Sequence, residues 1–248
     1  MRGSLICLGI LLGAVPVALR AQSLQQRITA VGSGTVHLSY PARPGVCGEG
    51  PNRISTDGRN EEWEDNCESQ PVRVALKLED RRVVGIRTYV GGRWRPGSAA
   101  TDLGTVRPQE AAAYFLALAQ SSAELAGDPV LPATLADSVT VWPSLVRLAR
   151  ATELPSETRR SAIFWLSQAA GKAAATALDS LAFDDKGDRE IRKQAVFALS
   201  QRPDHEGVPA LIRIARSNSD PQLRKTALFW LGQSEDPRAL DLFEEILR

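Results

Sequence analysis

A chain of 248 residues with 43% hydrophobic and 24% charged side chains can build one large hydrophobic core or two small ones, which excludes a disordered or collagen-like chain. Lysine and arginine number 30 against 29 acidic residues, a formal net charge of +1. That balance supplies no global field toward nucleic acid or anionic lipid, and no nucleic-acid partner is expected.

The first predicted segment is a leader. Arg2 precedes an apolar run from Leu5 to Leu19, and small residues follow at Ala21 and Ser23, the layout of a secretory signal peptide over residues 1–21. The run is shorter than the roughly 20 apolar residues of a membrane span and is interrupted by Pro16, so cleavage near Gln22 or Leu24 is expected, with no membrane span afterwards. Cys7 lies inside the run, whereas a lipid-bearing cysteine would follow it. Loss of Arg2 and Arg20 leaves 28 basic against 29 acidic side chains, and Cys47 and Cys67 remain of the 3 cysteines. In a periplasmic or extracellular chain such a pair reads as one disulfide, worth roughly 3 kcal/mol in the chain-entropy account.

Residues 25–95 read as a small β domain. From Gly34 to Tyr40 the apolar Val36, Leu38 and Tyr40 alternate with Thr35, His37 and Ser39, the pattern of a strand with one buried face. Val72, Val74, Leu76 and Leu78 form a second alternation. After Asp80-Arg81-Arg82 come Val84, Ile86, Thr88 and Val90, which completes a hairpin. The polar loop Pro41 to Gln70 lies between, stapled by Cys47 and Cys67. Composition shifts toward Gly, Pro, Ser and Thr between Gly91 and Pro108, and residues 96–108 are predicted as a linker to a helical part over 109–248.

That helical part carries an internal repeat. ETRRSAIFWLSQ from residue 157, EIRKQAVFALSQ from 190 and QLRKTALFWLGQ from 222 align without gaps at spacings of 33 and 32. The preceding helices repeat as well: PSLVRLAR from residue 143 returns as PALIRIAR from residue 209. Ser156, Asp188 and Asp220 stand where N-caps of the second helices belong, Pro221 takes a first helical position, and Asp236-Pro237 opens the last helix. Glu110 to Ser121 reads as a degenerate earlier copy, and Arg238 to Leu247 as a half-repeat cap.

Residues 143–247 resemble the HEAT-repeat family, including the variants first noted in phycobilisome lyases, whose second helix runs Val-Arg, then Ala, then Leu-Gly. Leu223, Arg224, Ala227, Leu231 and Gly232 carry that pattern, with close variants in the two earlier copies. The expected fold is therefore α+β in two domains: a small disulfide-bearing β domain followed by an all-α HEAT-like superhelical solenoid. The family ranges from scaffolds to a few lyases, so the resemblance leaves function open. The β region resembles no family.

Within the twelve-residue segment, positions 2, 6, 9 and 10 fall on one side of a helix and form the packed stripe: Thr158, Ala162, Trp165 and Leu166; Ile191, Ala195, Ala198 and Leu199; Leu223, Ala227, Trp230 and Leu231. Position 8 points nearly opposite and is always phenylalanine: Phe164, Phe197 and Phe229. One turn earlier stand Arg160, Lys193 and Lys225; one turn later, Gln168, Gln201 and Gln233. If the second helices line a concave surface, these nine residues form a groove for a protein or peptide partner. The alternative is that each phenylalanine seals the interior between repeats. Family resemblance further suggests that Arg159, Arg192 and Arg224 tie neighbouring repeats to carboxylates such as Asp188 and Asp220.

A catalytic constellation is not legible. His37 and His205 are the only histidines, no phosphate-binding, dinucleotide, nucleophile-elbow or zinc-protease motif occurs, and neither metal nor cofactor is expected. The acidic cluster Glu61, Glu62, Glu64 and Asp65 lacks the spacing of a calcium loop. Trp63, Trp94 and Tyr89 could serve as an aromatic platform for sugar or peptide, although a hairpin core accounts equally for Trp94 and Tyr89. The reading is thus a non-enzymatic interaction scaffold. Its alternatives are a lyase-type enzyme or enzyme subunit, and a periplasmic ligand-binding module built on the β domain.

Overall fold

A computed structural model describes residues 22–48, 54–56, 70–169 and 172–248. The signal peptide expected over 1–21, Cys67, the acidic cluster and Trp63 lie outside the described residues.

Helix α1 (Leu24–Thr29) opens the fold with a capping box, in which the Ser23 hydroxyl accepts from the Gln26 amide and the Gln26 side chain accepts from the Ser23 amide. Strands β1 (Gly34–Tyr40), β4 (Val72–Glu79), β5 (Arg82–Val90) and β6 (Thr101–Thr105) form one sheet in the order β5-β4-β1-β6, while β2 (Cys47–Gly48) and β3 (Ile54–Ser55) pair separately. The alternation read in β4 holds, with Val72, Val74 and Leu76 fully buried; in β1 Val36, Leu38 and Tyr40 are fully buried as read, but His37 and Ser39 on the other face are buried as well, so that strand is covered on both sides. The hairpin joining β4 to β5 turns on Asp80 and Arg81, both with positive φ. Two-residue hairpin turns demand this conformation and usually use Asn or Gly for it. Here the turn is tied down from outside, because the Asp80 amide donates to the Ser33 hydroxyl and the Arg81 amide to the Gly32 carbonyl.

Two features depart from the sequence reading. Within the stretch predicted as a linker, Thr101–Thr105 pairs in parallel with β1 and closes the sheet as β6. Its sequence, TDLGT, offers no apolar alternation; pairing with β1, a hydroxyl bond between Ser39 and Thr105, and the Arg27 guanidinium, which donates to the Leu103 carbonyl at 2.8 Å, hold it as a strand. Helix α2 (Pro108–Ser121), assigned from sequence to the helical part, buries Ala111, Ala112, Tyr114 and Phe115 in the core of the sheet.

Beyond the short α3 (Val130–Thr134), helices pair as the repeat demands: α4 (Trp142–Arg150) with α5 (Ser156–Ser167), α6 (Lys172–Ala182) with α7 (Arg189–Ser200), and α8 (Val208–Ser217) with α9 (Pro221–Gly232). Helix α10 (Pro237–Leu247) packs on α8 as an unpaired first helix. First helices touch in the series α4, α6, α8, α10, and second helices in the series α5, α7, α9. The pair α2–α3 extends both series of contacts, since α2 touches α4 and α3 touches α5. Asp188 and Asp220 cap α7 and α9, accepting from the Glu190 and Gln222 amides, and Asp236 caps α10. Ser156 does not cap α5; Pro155 takes the cap position and Ser156 is the first helical residue.

The packed stripe is borne out. Thr158, Ala162, Leu166, Ala195, Leu223 and Ala227 are buried, while Trp165 and Trp230 are half-buried against the same core.

Candidate binding face on the second helices

Position 8 lies on the side of each second helix opposite its buried stripe, and α5, α7 and α9 are neighbours, so the three phenylalanines lie on one face. Phe164, Phe197 and Phe229 are 53%, 40% and 58% exposed, so a large part of each ring is not spent on the interior between repeats, although Phe197 keeps a contact with the neighbouring copy. Their undersides rest on tryptophan. Phe164 meets Trp165 edge-on at 5.0 Å, Phe229 meets Trp230 at 5.0 Å, and Trp230 also reaches across the repeat boundary to Phe197 at 5.2 Å. Such contacts fix ring orientation while leaving one face of each ring to solvent.

The flanking columns differ from copy to copy. Arg160 pairs with Glu157 at 3.5 Å and Lys193 with Glu190 at 2.8 Å, each one turn back on its own helix. In α9 the corresponding residue is Gln222, and Lys225 has no ion-pair partner among the described residues. The amides follow suit. Gln168 and Gln201 donate to the hydroxyls of Ser167 and Ser200, both at 3.2 Å, whereas Gly232 precedes Gln233 and leaves its side chain without such a bond. The third copy therefore presents the unsatisfied cation and amide. Gln201, Gln233 and Trp230, with His205, line a pocket of about 260 Å³ between the ends of α7 and α9.

Of the arginine column, Arg159 and Arg192 reach the next copy through different partners, and Arg224 stays within its own copy. Arg159 reaches Asp188 of the next copy at 3.2 Å, as the resemblance implied. Asp220 is held instead by Arg189, at 3.0 Å, and Arg192 bonds Asp185 and the buried Asn218. Arg224 donates to the Asn218 carbonyl within its own copy. Arg202, buried at the end of α7, donates to the Ser167 carbonyl at the end of α5, a tie that sequence reading missed because it depends on where two helix ends meet. The Glu190 amide and the Arg159 guanidinium hold the Asp188 carboxyl below its ordinary range, and Arg238 draws Asp236 down to about 2.

On the sheet, His37 is not on a solvated face. Its ring stacks on Trp94 at 3.7 Å and 8°, with Tyr89 edge-on to Trp94 at 5.5 Å. Burial lowers the His37 pKa against the opposing pull of Asp102. Tyr89 and Trp94 lie on the face of the sheet away from its apolar core, so the hairpin-core account of them fails. His205 sits in the turn before α8, and among the described residues no three His, Cys, Asp or Glu side chains gather as a metal site. No described helix is long and apolar enough to cross a membrane.

A mixed sheet backed by helices and continued by side-by-side helical pairs defines the class: a helical-repeat protein with an N-terminal sheet. Within it, residues 182–248 match the family of HEAT repeats, as the resemblance had anticipated. The matched span starts at the end of α6, and α4–α5 repeat the paired arrangement upstream of it. HEAT repeats suggest a role in protein interaction or scaffolding. No curated protein matches the chain.

Proposed function

We propose that the protein is an exported, non-enzymatic scaffold whose second-helix face, read as the concave side of a short HEAT-like solenoid, binds a protein or peptide partner. The observation carrying this is the exposure of Phe164, Phe197 and Phe229 at equivalent places on three adjacent helices. Three aromatic rings left in water cost free energy that a monomer avoids unless the patch is used. They supply apolar anchors, Gln168, Gln201 and Gln233 match peptide groups, and Arg160, Lys193 and Lys225 match acidic side chains, with Lys225 and Gln233 the most available. Export is supported by the residue order from Arg2 to Ser23. The Cys47–Cys67 disulfide is supported by Cys47 not being a free thiol.

The test is a triple variant, Phe164→Ser, Phe197→Ser and Phe229→Ser. With a photocrosslinker at Gln233, the native chain should capture a discrete partner from an envelope extract, and the variant should lose it while its thermal unfolding is nearly unchanged. Loss of the native fold in the variant, or undiminished capture, would overturn the reading. Mass mapping with and without reductant checks the disulfide.

A further inference from the structure

We propose a second, separate binding site: a cationic groove on the outer face of the sheet that takes a small oligoanion bearing two or more phosphate or carboxylate groups. The groove follows from chain geometry. Gly91 and Gly92, with φ of +70° and +66°, reverse the chain at the end of β5, and a side chain at Gly91 would also press on the Gly48 carbonyl. The strap that follows is fastened back by Arg73, whose Nε donates to the Gly91 and Gly92 carbonyls, and by Trp94 stacked on His37. Between strap and sheet lies a groove of about 840 Å³, within the range of small-ligand sites.

Its charge is one-sided. Arg73, Lys77, Arg87, Arg93 and Arg95 line it, and among the described residues no acidic side chain does. Register explains the grouping: Arg73 faces Tyr89 and Ala75 faces Arg87 across the β4–β5 ladder, while Gly85 opposite Lys77 leaves the floor open. Arg73 is spent on the strap and Lys77 on Glu79 at 2.8 Å. Arg87, Arg93 and Arg95 are exposed, with neither ion pair nor hydrogen bond among the described residues. Three uncompensated cations facing one concavity repel one another and are relieved by a multivalent anion. Guanidinium forks match planar carboxylate or phosphate oxygens in pairs, and arginine predominates over lysine here by four to one. Glu79 at one margin and Asp102, paired in register with His37, at another confine the positive field, which suits a compact ligand over a nucleic-acid strand.

The experiment is calorimetric titration of the full chain with tripolyphosphate and, separately, propane-1,2,3-tricarboxylate. One-to-one saturation that weakens with added salt is expected for at least one, and the stronger of the two assigns the preferred group. The Arg87→Ala, Arg93→Ala, Arg95→Ala variant, its fold checked by circular dichroism, should bind at least about tenfold more weakly, given the strength of charge-assisted hydrogen bonds. The triple phenylalanine variant should bind as the native chain does, which separates this site from the helical face. Absence of saturation by either anion at millimolar concentration, or equal binding by the arginine variant, would overturn the proposal.

Discussion

Tyr40 shows how one side chain joins two parts of the molecule. The residue is fully buried on β1, and its hydroxyl donates to the Pro132 carbonyl of α3 at 2.6 Å, a bond between residues 92 apart in sequence. Burial raises its pKa well above the ordinary phenol value, so it remains a donor throughout the working range of pH. Tyr40→Phe keeps the ring and strands the carbonyl in an apolar setting. A loss of about 1–3 kcal/mol in urea unfolding is expected, and an unchanged midpoint would contradict the role assigned to the bond. At the same scale, Phe164, Phe197 and Phe229 could be placed on the outer side of their helices from the 100° rotation per residue. Their exposure was a separate matter, because a neighbouring helix could have covered that side.

Among the elements, α7, α9 and α10 take their registration from carboxylate caps. Asp188, Asp220 and Asp236 each accept from the amide two residues on, and each has its pKa lowered: Asp188 and Asp220 chiefly by that backbone bond, Asp236 chiefly by Arg238. A carboxylate lowered in the folded state stabilises fully above its unfolded value near 3.9, and that contribution is lost as pH falls through the folded value. Guanidinium midpoints should therefore fall between about pH 4 and pH 2. Asp236→Asn preserves a cap acceptor but forfeits the charge-assisted bond to Arg238, so the variant should be less stable at pH 6 and converge with the native chain near pH 2. Equal acid sensitivity of the two proteins would count against this account.

Across the whole molecule, the pair α2–α3 belongs to both parts. It buries Ala111, Ala112, Tyr114, Phe115 and Ala133 against the sheet, while Ala119 and Val130 enter the helical core. Leu116 and Val141 pack on both cores. The Ser161 hydroxyl of α5 donates to the Gly127 carbonyl at 3.2 Å, and a side chain at Gly127 would meet Ser161 at 2.6 Å, so the approach there is close. A fragment of residues 22–107, ending just before α2 and one residue short of the end of the predicted linker, strips the α2–α3 cover from the apolar face of β1 and β4 and leaves only α1 on it. It should give a poorly dispersed amide spectrum and bind a hydrophobic dye, whereas residues 22–140 should give a dispersed spectrum. A well-dispersed spectrum from the shorter fragment would show that the sheet does not need α2–α3.

The sequence by itself determined the frame of the helical pairs, the β4–β5 hairpin, the aspartate caps and the position of the phenylalanine column. Each is written within a few residues, as an apolar period, a turn or a cap. Tertiary structure alone decided that TDLGT is a strand, that α2 serves the sheet as well as the stack, that Arg189 takes Asp220, and that Arg87 shares a groove with Arg93 and Arg95. Those outcomes depend on partners tens of residues away, whose approach is set by packing and leaves no local period to read.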